Sequence, residues 1–246
     1  MDLEYRRPSE VALALMREGH NNPDMVATLE EVIAEGVPLA PENKDGEVED
    51  IGDLDVIHRF VEAPGESETV RWHFVEAGEG PVLLLMHGIP QSWCMWRPIL
   101  PELANHFRCI AIDLKGYGQS DKGRGDYRHE GVAEQVVGLL DMLGVDRFHL
   151  FSHDRGTVQA DFIAAKQADR ILRYVRGSQH LIHFHPDLAP QEIMFTDPDT
   201  RNILQDPFKM FEWGFGRLCK HPIDKSQVIR AVQEFSRLGT GVAVER

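Results

Sequence analysis

The stretch Phe148 to Gly156, F-H-L-F-S-H-D-R-G, carries a strand into a sharp turn with Asp154 at its tip. Small residues, Ser152 and Gly156, stand two positions before and after that aspartate. A strained strand-to-helix turn needs them, because its backbones approach too closely for larger side chains. On such a turn the carboxylate of Asp154 projects above the sheet, where it can act as a nucleophile. Asp154 is therefore the candidate catalytic residue.

Working outward, the apolar run Val82 to Met86 reads as a strand buried on both faces. Val56 to Val61 and Val70 to Ala77 precede it as β-rich segments, and Phe107 to Ile112, Phe148 to Phe151 and Ile171 to Arg176 follow as strands. Helical patterns lie between them, near Met95 to Asn105, Glu130 to Leu143 and Thr157 to Gln167. This alternation predicts an α/β fold with a doubly wound, mostly parallel sheet of about six strands over residues 53–178.

Residues 1–52 read as an appended helical segment and linker. Asn22-Pro23 starts a helix, Met25, Leu29, Val32 and Ile33 share one face, and Gly36 can end it. Val37 to Gly52, rich in proline, glycine and acids, reads as the linker. Residues 179–246 place Phe208, Phe211, Trp213 and Phe215 at helical spacing between prolines, which predicts a helical lid.

The loop after Val82 to Met86 is H-G-I-P-Q-S-W, His87 to Trp93. In a parallel sheet such loops gather at the carboxyl edge, so this one converges on the turn at Asp154. Backbone N–H groups of Ile89 and Arg155 are then positioned to bind a developing negative charge.

The formal charge of -14 is uneven: Met1 to Asp55 holds 15 acidic and 4 basic residues, a net of -11, which leaves -3 for the remainder. Nucleic-acid binding is not expected of such a surface. No apolar run approaches the roughly 20 residues of a membrane span, and M-D-L-E-Y-R-R lacks a signal peptide's apolar stretch, so the expectation is a cytoplasmic protein. Cys94, Cys109 and Cys219 are widely spaced without a C-x-x-C pair and read as buried thiols. His180 to His185, H-L-I-H-F-H, has no carboxylate or cysteine interleaved at ligand spacing, so no metal or other cofactor is expected. Asp113 and Asp121 read as caps that brace the loop around Gly116 and Gly118.

H-G-I-P-Q-S-W, D-L-K-G-Y-G-Q-S-D at Asp113 to Asp121, and S-H-D-R-G together resemble the α/β-hydrolase superfamily, and within it the epoxide hydrolases. The resemblance implies attack by Asp154 on a saturated carbon of a small-molecule substrate, giving an alkyl-enzyme ester that a histidine-activated water hydrolyses. It places Trp93, His153 and His183 in the substrate pocket. Haloalkane dehalogenases usually carry tryptophan after the nucleophile and often asparagine in the first loop; this chain has Arg155 and Ile89. Fluoroacetate dehalogenases share the arginine but add a second one three residues later, where Val158 stands. A dehalogenase of that type is the alternative enzyme.

The resemblance also implies a catalytic histidine and a partner acid late in the chain, and two lid tyrosines. The histidines after the nucleophile are His180, His183, His185 and His221, all in the lid or its entrance, and no tyrosine follows Tyr174. The family's sheet has further strands, so Ile171 to Arg176 is expected to be an open edge that pairs with a second copy or a complementing chain. A non-catalytic hydrolase remnant that binds a small molecule or a partner protein is the reading from another functional class.

Overall fold

The computed structural model describes residues 23–65, 68–177 and 223–240. The chain divides into two compact units, one chiefly Met1–Pro38 with His180–Val232, the other chiefly Leu39–Gln179 with Gln233–Val244.

In the larger unit a single sheet has seven strands: β1 (Val48–Asp50), β2 (Asp55–Pro64), β3 (Thr69–Ala77), β4 (Val82–Met86), β5 (Arg108–Ile112), β6 (Phe148–His153) and β7 (Ile171–Gly177). They lie in the order β1-β2-β3-β5-β4-β6-β7. β1, β2, β3 and β5 pair antiparallel, whereas β5-β4, β4-β6 and β6-β7 are parallel. The parallel half carries Asp154 and the loop after β4; the antiparallel half makes the sheet mixed. β7 ends the order and leaves Val175 half exposed.

β4 sits between β5 and β6, and all but Val82 of its residues are buried. Leu83 and Leu85 join Trp93, Trp96 and Leu100 in one core cluster, while Leu84 and Met86 point to the other face and are equally buried. The apolar run of β4 thus has its cause in cover on both sides.

The helices are α1 (Pro23–Glu35), α2 (Leu100–Ala104), α3 (His129–Met142), α4 (Arg155–Lys166) and α5 (Lys225–Phe235). A single helix over Met95 to Asn105 is not what forms. A short 3₁₀ turn, Trp93–Trp96, precedes α2, and Pro98 lies between them with Pro101 in the first turn of α2. Prolines lack the N–H that an unbroken helix would need there. The acidic linker also differs from expectation, since Val48–Asp50 pairs with Asp55–Ile57 as β1.

In the smaller unit, Leu29 and Val32 of α1 are buried, Ile33 is exposed at 44%, and Gly36 closes the helix at φ 78. The apolar stripe is therefore narrower than its sequence pattern. Lys225 bonds Glu31 at 3.0 Å and Glu35 at 2.9 Å. The aromatic residues expected in the lid, and His183, lie outside the described residues. No helix among the described residues is long and apolar enough to cross a membrane.

Candidate active site

β6 delivers the chain to Asp154, whose backbone adopts φ 51 and ψ -129, the one positive φ at a non-glycine residue among the described residues. α4 begins at the next residue. This conformation turns the chain sharply and leaves the Asp154 side chain at the tip. The turn is pinned from β7: Gly177 O accepts the Asp154 N–H at 3.1 Å and the Thr157 hydroxyl at 3.1 Å. Ser152, fully buried, donates its hydroxyl to Thr157 at 3.0 Å. A larger residue at 152 would lose both the space and this bond.

The loop after β4 closes over the turn. The Ile89 N–H donates to Asp154 Oδ1 at 2.8 Å. A β-carbon on Gly88 would stand 2.3 Å from Asp154 Cβ, so only glycine lets the two segments meet. Ile89-Pro90 is a cis peptide. His87 is fully buried, accepts the Leu114 N–H on Nε2 at 2.9 Å and donates from Nδ1 to Gly88 O at 2.8 Å. Those partners fix a neutral ring, and burial lowers its pKa from the ordinary histidine value. His87 is thus a tie between two loops.

Asp113, fully buried below the loop, accepts the Trp93 N–H on Oδ1 at 2.8 Å and the Gln119 N–H on Oδ2 at 2.8 Å. Burial alone would raise its pKa, but the charge and hydrogen bond of His73, 2.6 Å away, outweigh that and hold the carboxyl well below the usual range. Gly118, at φ 48, comes so close that a β-carbon there would lie 1.9 Å from Asp113 Oδ2. Asp113 therefore braces the loop, as the sequence suggests. Asp121 does so through its carbonyl, which accepts the Gly116 N–H at 2.8 Å.

The remaining expected site residues take different places. Arg155 is half-buried at the first position of α4, where helical N–H groups have no partner within the helix. His153 is half-buried; its Nδ1 has no hydrogen-bond partner among the described residues, and burial lowers its pKa. Trp93 is completely buried, with its ring edge-on to His58 at 5.7 Å and under Arg97 at 5.6 Å, so the indole belongs to the core and only the backbone N–H serves the loop. An indole of that size fills the space between the sheet and the 3₁₀ turn. His58 and His73 had no role in the sequence reading. The available signal was a histidine at an inward position of each strand, since Val56 and His58 on β2 and Trp72 to Val75 on β3 are all buried.

The strand-turn-helix at Asp154, the glycine-dependent loop after β4 and the sheet order now meet a family comparison. The family model described as alpha/beta hydrolase fold matches residues 81–209, just over half of the chain. The chain belongs to the α/β-hydrolase family. Bifunctional epoxide hydrolase 2 of Mus musculus is 33% identical over 183 residues, covering 73% of this α/β-hydrolase chain and 31% of the mouse protein. A fluoroacetate dehalogenase of Burkholderia sp. is 36% identical over 151 residues, covering 51% of this chain and 50% of that protein. The crystal structure of Cfl2 from Burkholderia cenocepacia superposes with a TM-score of 0.65 at 28% identity, covering 77% of this chain and 69% of that one. The matches thus span 31% and 50% of these two curated relatives' own length.

Proposed function

We propose that this α/β-hydrolase uses Asp154 to attack a saturated carbon of a small molecule, with an epoxide as the preferred substrate class. The observation that carries the reading is Asp154 at the strained turn with Oδ1 held by the Ile89 N–H at 2.8 Å. That bond occupies one carboxylate oxygen and leaves Oδ2 to attack. A bond forms from Oδ2 to the ring carbon, the carbon-oxygen bond of the epoxide breaks, and the released oxygen takes a proton from solvent water. Water then adds to the ester carbon at Cγ as a base takes its proton, and the Cγ–Oδ2 bond breaks, so that the diol leaves with that proton and the Asp154 carboxyl is restored. The negative charge of that step gathers on Oδ1, where Ile89 already donates and the Arg155 N–H is the second donor. The similarity to epoxide hydrolases supports the substrate class. The histidine that would activate the water has its candidates, His180, His183, His185 and His221, outside the described residues.

Carbon attack precedes the need for that histidine. Styrene oxide incubated with the purified chain should therefore alkylate Asp154 once per molecule, seen by intact-protein mass spectrometry and absent in Asp154→Ala. Adduct formation without turnover separates the two half-reactions; rapid turnover would assign the base to one of those four histidines. Neither adduct nor turnover would favour the non-catalytic binding reading.

A fluoroacetate-type dehalogenase is the second reading, favoured by Arg155 directly after the nucleophile and by the 36% identity to the Burkholderia enzyme. Buried Val158 at the next turn of α4 counts against a second carboxylate-gripping arginine. Fluoride release measured against diol formation decides between them.

A further inference from the structure

His58 on β2 and His73 on β3 are both completely buried, and their rings meet edge to edge. His58 Nδ1 lies 2.9 Å from His73 Nε2, with the ring planes 17° apart. The outer nitrogens are engaged as well. His73 Nδ1 is 2.6 Å from Asp113 Oδ2, and His58 Nε2 is 3.0 Å from Glu49 Oε2. The line Asp113, His73, His58, Glu49 therefore contains three contacts, each of which closes only if one hydrogen stands between two heteroatoms.

Ionised carboxylates bring no hydrogen. Asp113 is ionised because both of its oxygens accept backbone N–H groups and His73 faces it. Glu49 is ionised because its other oxygen pairs with the Arg97 guanidinium. All three hydrogens must then come from the imidazoles, and two neutral imidazoles carry only two. We infer that His58 and His73 share a third proton, forming one buried imidazolium spread over the pair.

The charges around it match. Glu47 and Glu49 face His58 from β1 and the residues before it, and Asp113 faces His73 from the end of β5. Arg97 balances Glu49, the charge of Lys122 acts on Asp113, and His87 near Asp113 is held neutral by its own partners. The rings of Phe60 and Trp93 close the remaining sides at 4.7 and 5.7 Å. A cation here offsets the Asp113 carboxylate, which is fully buried and faces His73.

The shared proton reaches the loop through Asp113. Its carboxylate holds the Trp93 N–H, and Trp93 ends the segment His87 to Trp93 that carries the Ile89 N–H. His58 and His73 are positioning residues in this sense. The inference stands on hydrogen counting and holds whichever reaction Asp154 performs.

The test is a count of ring protons by nitrogen-proton NMR of the ¹⁵N-labelled whole chain at neutral pH. The expected spectrum has three slowly exchanging N–H protons on these two rings. Two protons, a neutral pair, or four, two separate cations, would overturn the inference in the wild-type chain alone. In His58→Gln the glutamine amide can donate to His73 Nε2, so His73 should keep one N–H proton, on Nδ1, and lose its charge. A His73 that keeps both protons in that variant would show a cation never shared. Amide exchange of Trp93 reads the positioning role. It should quicken by about tenfold in His58→Gln, the loss of roughly one hydrogen bond's restraint, while the amides of β4 stay as they were. Unchanged Trp93 exchange would end the claim that the pair holds the loop.

Discussion

A β-carbon on Gly156 would lie 2.2 Å from the carbonyl oxygen of His87 and 3.0 Å from that of Met86. The first turn of α4 thus rests on the end of β4 with no room for a side chain, and the same contact sets the distance between Asp154 and the loop. Gly156→Ala should cost about 3 kcal/mol of stability, the upper part of the overpacking range. Urea denaturation measures it, and a variant as stable as the parent would show that α4 can retreat from β4.

Asp154→Asn separates chemistry from architecture. Asparagine keeps an oxygen for the Ile89 N–H and tolerates positive φ. Its stability should stay within about 0.5 kcal/mol of the parent. The styrene oxide adduct should vanish. An adduct surviving at full yield would move the nucleophile elsewhere.

Asp113 makes stability depend on acid. Its folded-state carboxyl is held below the ordinary range, so its contribution is complete above about pH 4, the unfolded value, and is lost as pH falls through the depressed one. Asp113→Asn should lose about 3 kcal/mol at neutral pH, the scale for breaking a buried charge pair. Denaturation curves over a pH series should show that deficit shrinking as pH drops below about 4. A constant deficit would mean that the carboxyl acts by shape and not by charge.

Cys109 should be chemically quiet. It is fully buried in β5, and burial pushes its thiol up to about 12. At pH 8 only about one molecule in ten thousand then carries the thiolate, the reactive form. Iodoacetamide labelling of the native chain, followed by peptide mass spectrometry, should leave Cys109 unmodified until denaturant is added. Labelling that titrates in the ordinary thiol range would contradict the burial.

The parts of the fold legible in the sequence are those written in local pattern. β4 appeared at its observed bounds because cover on two faces demands an unbroken apolar run, and the turn at Asp154 appeared because close backbones demand Ser152 and Gly156. β1 did not, since three residues with alternating exposure and two acids resemble any linker. The Asp113, His73, His58, Glu49 line was hidden for a different reason. It depends on the antiparallel registers that set Glu49 opposite Val56 and Phe60 opposite His73, and no spacing along the chain encodes those. Trp93 was misplaced because an aromatic next to a site loop fits a pocket and a core equally well by sequence.

The backbone of Asp154, at φ 51 and ψ -129, lies where glycine is comfortable and an L side chain is not. Asp154→Gly should therefore yield a protein more heat-resistant by about 1–2 kcal/mol and chemically silent. Any campaign that ranks variants of this scaffold by melting temperature alone will select against the residue proposed as its nucleophile. Thermal screening of such a library has to carry a reactivity filter at this one codon.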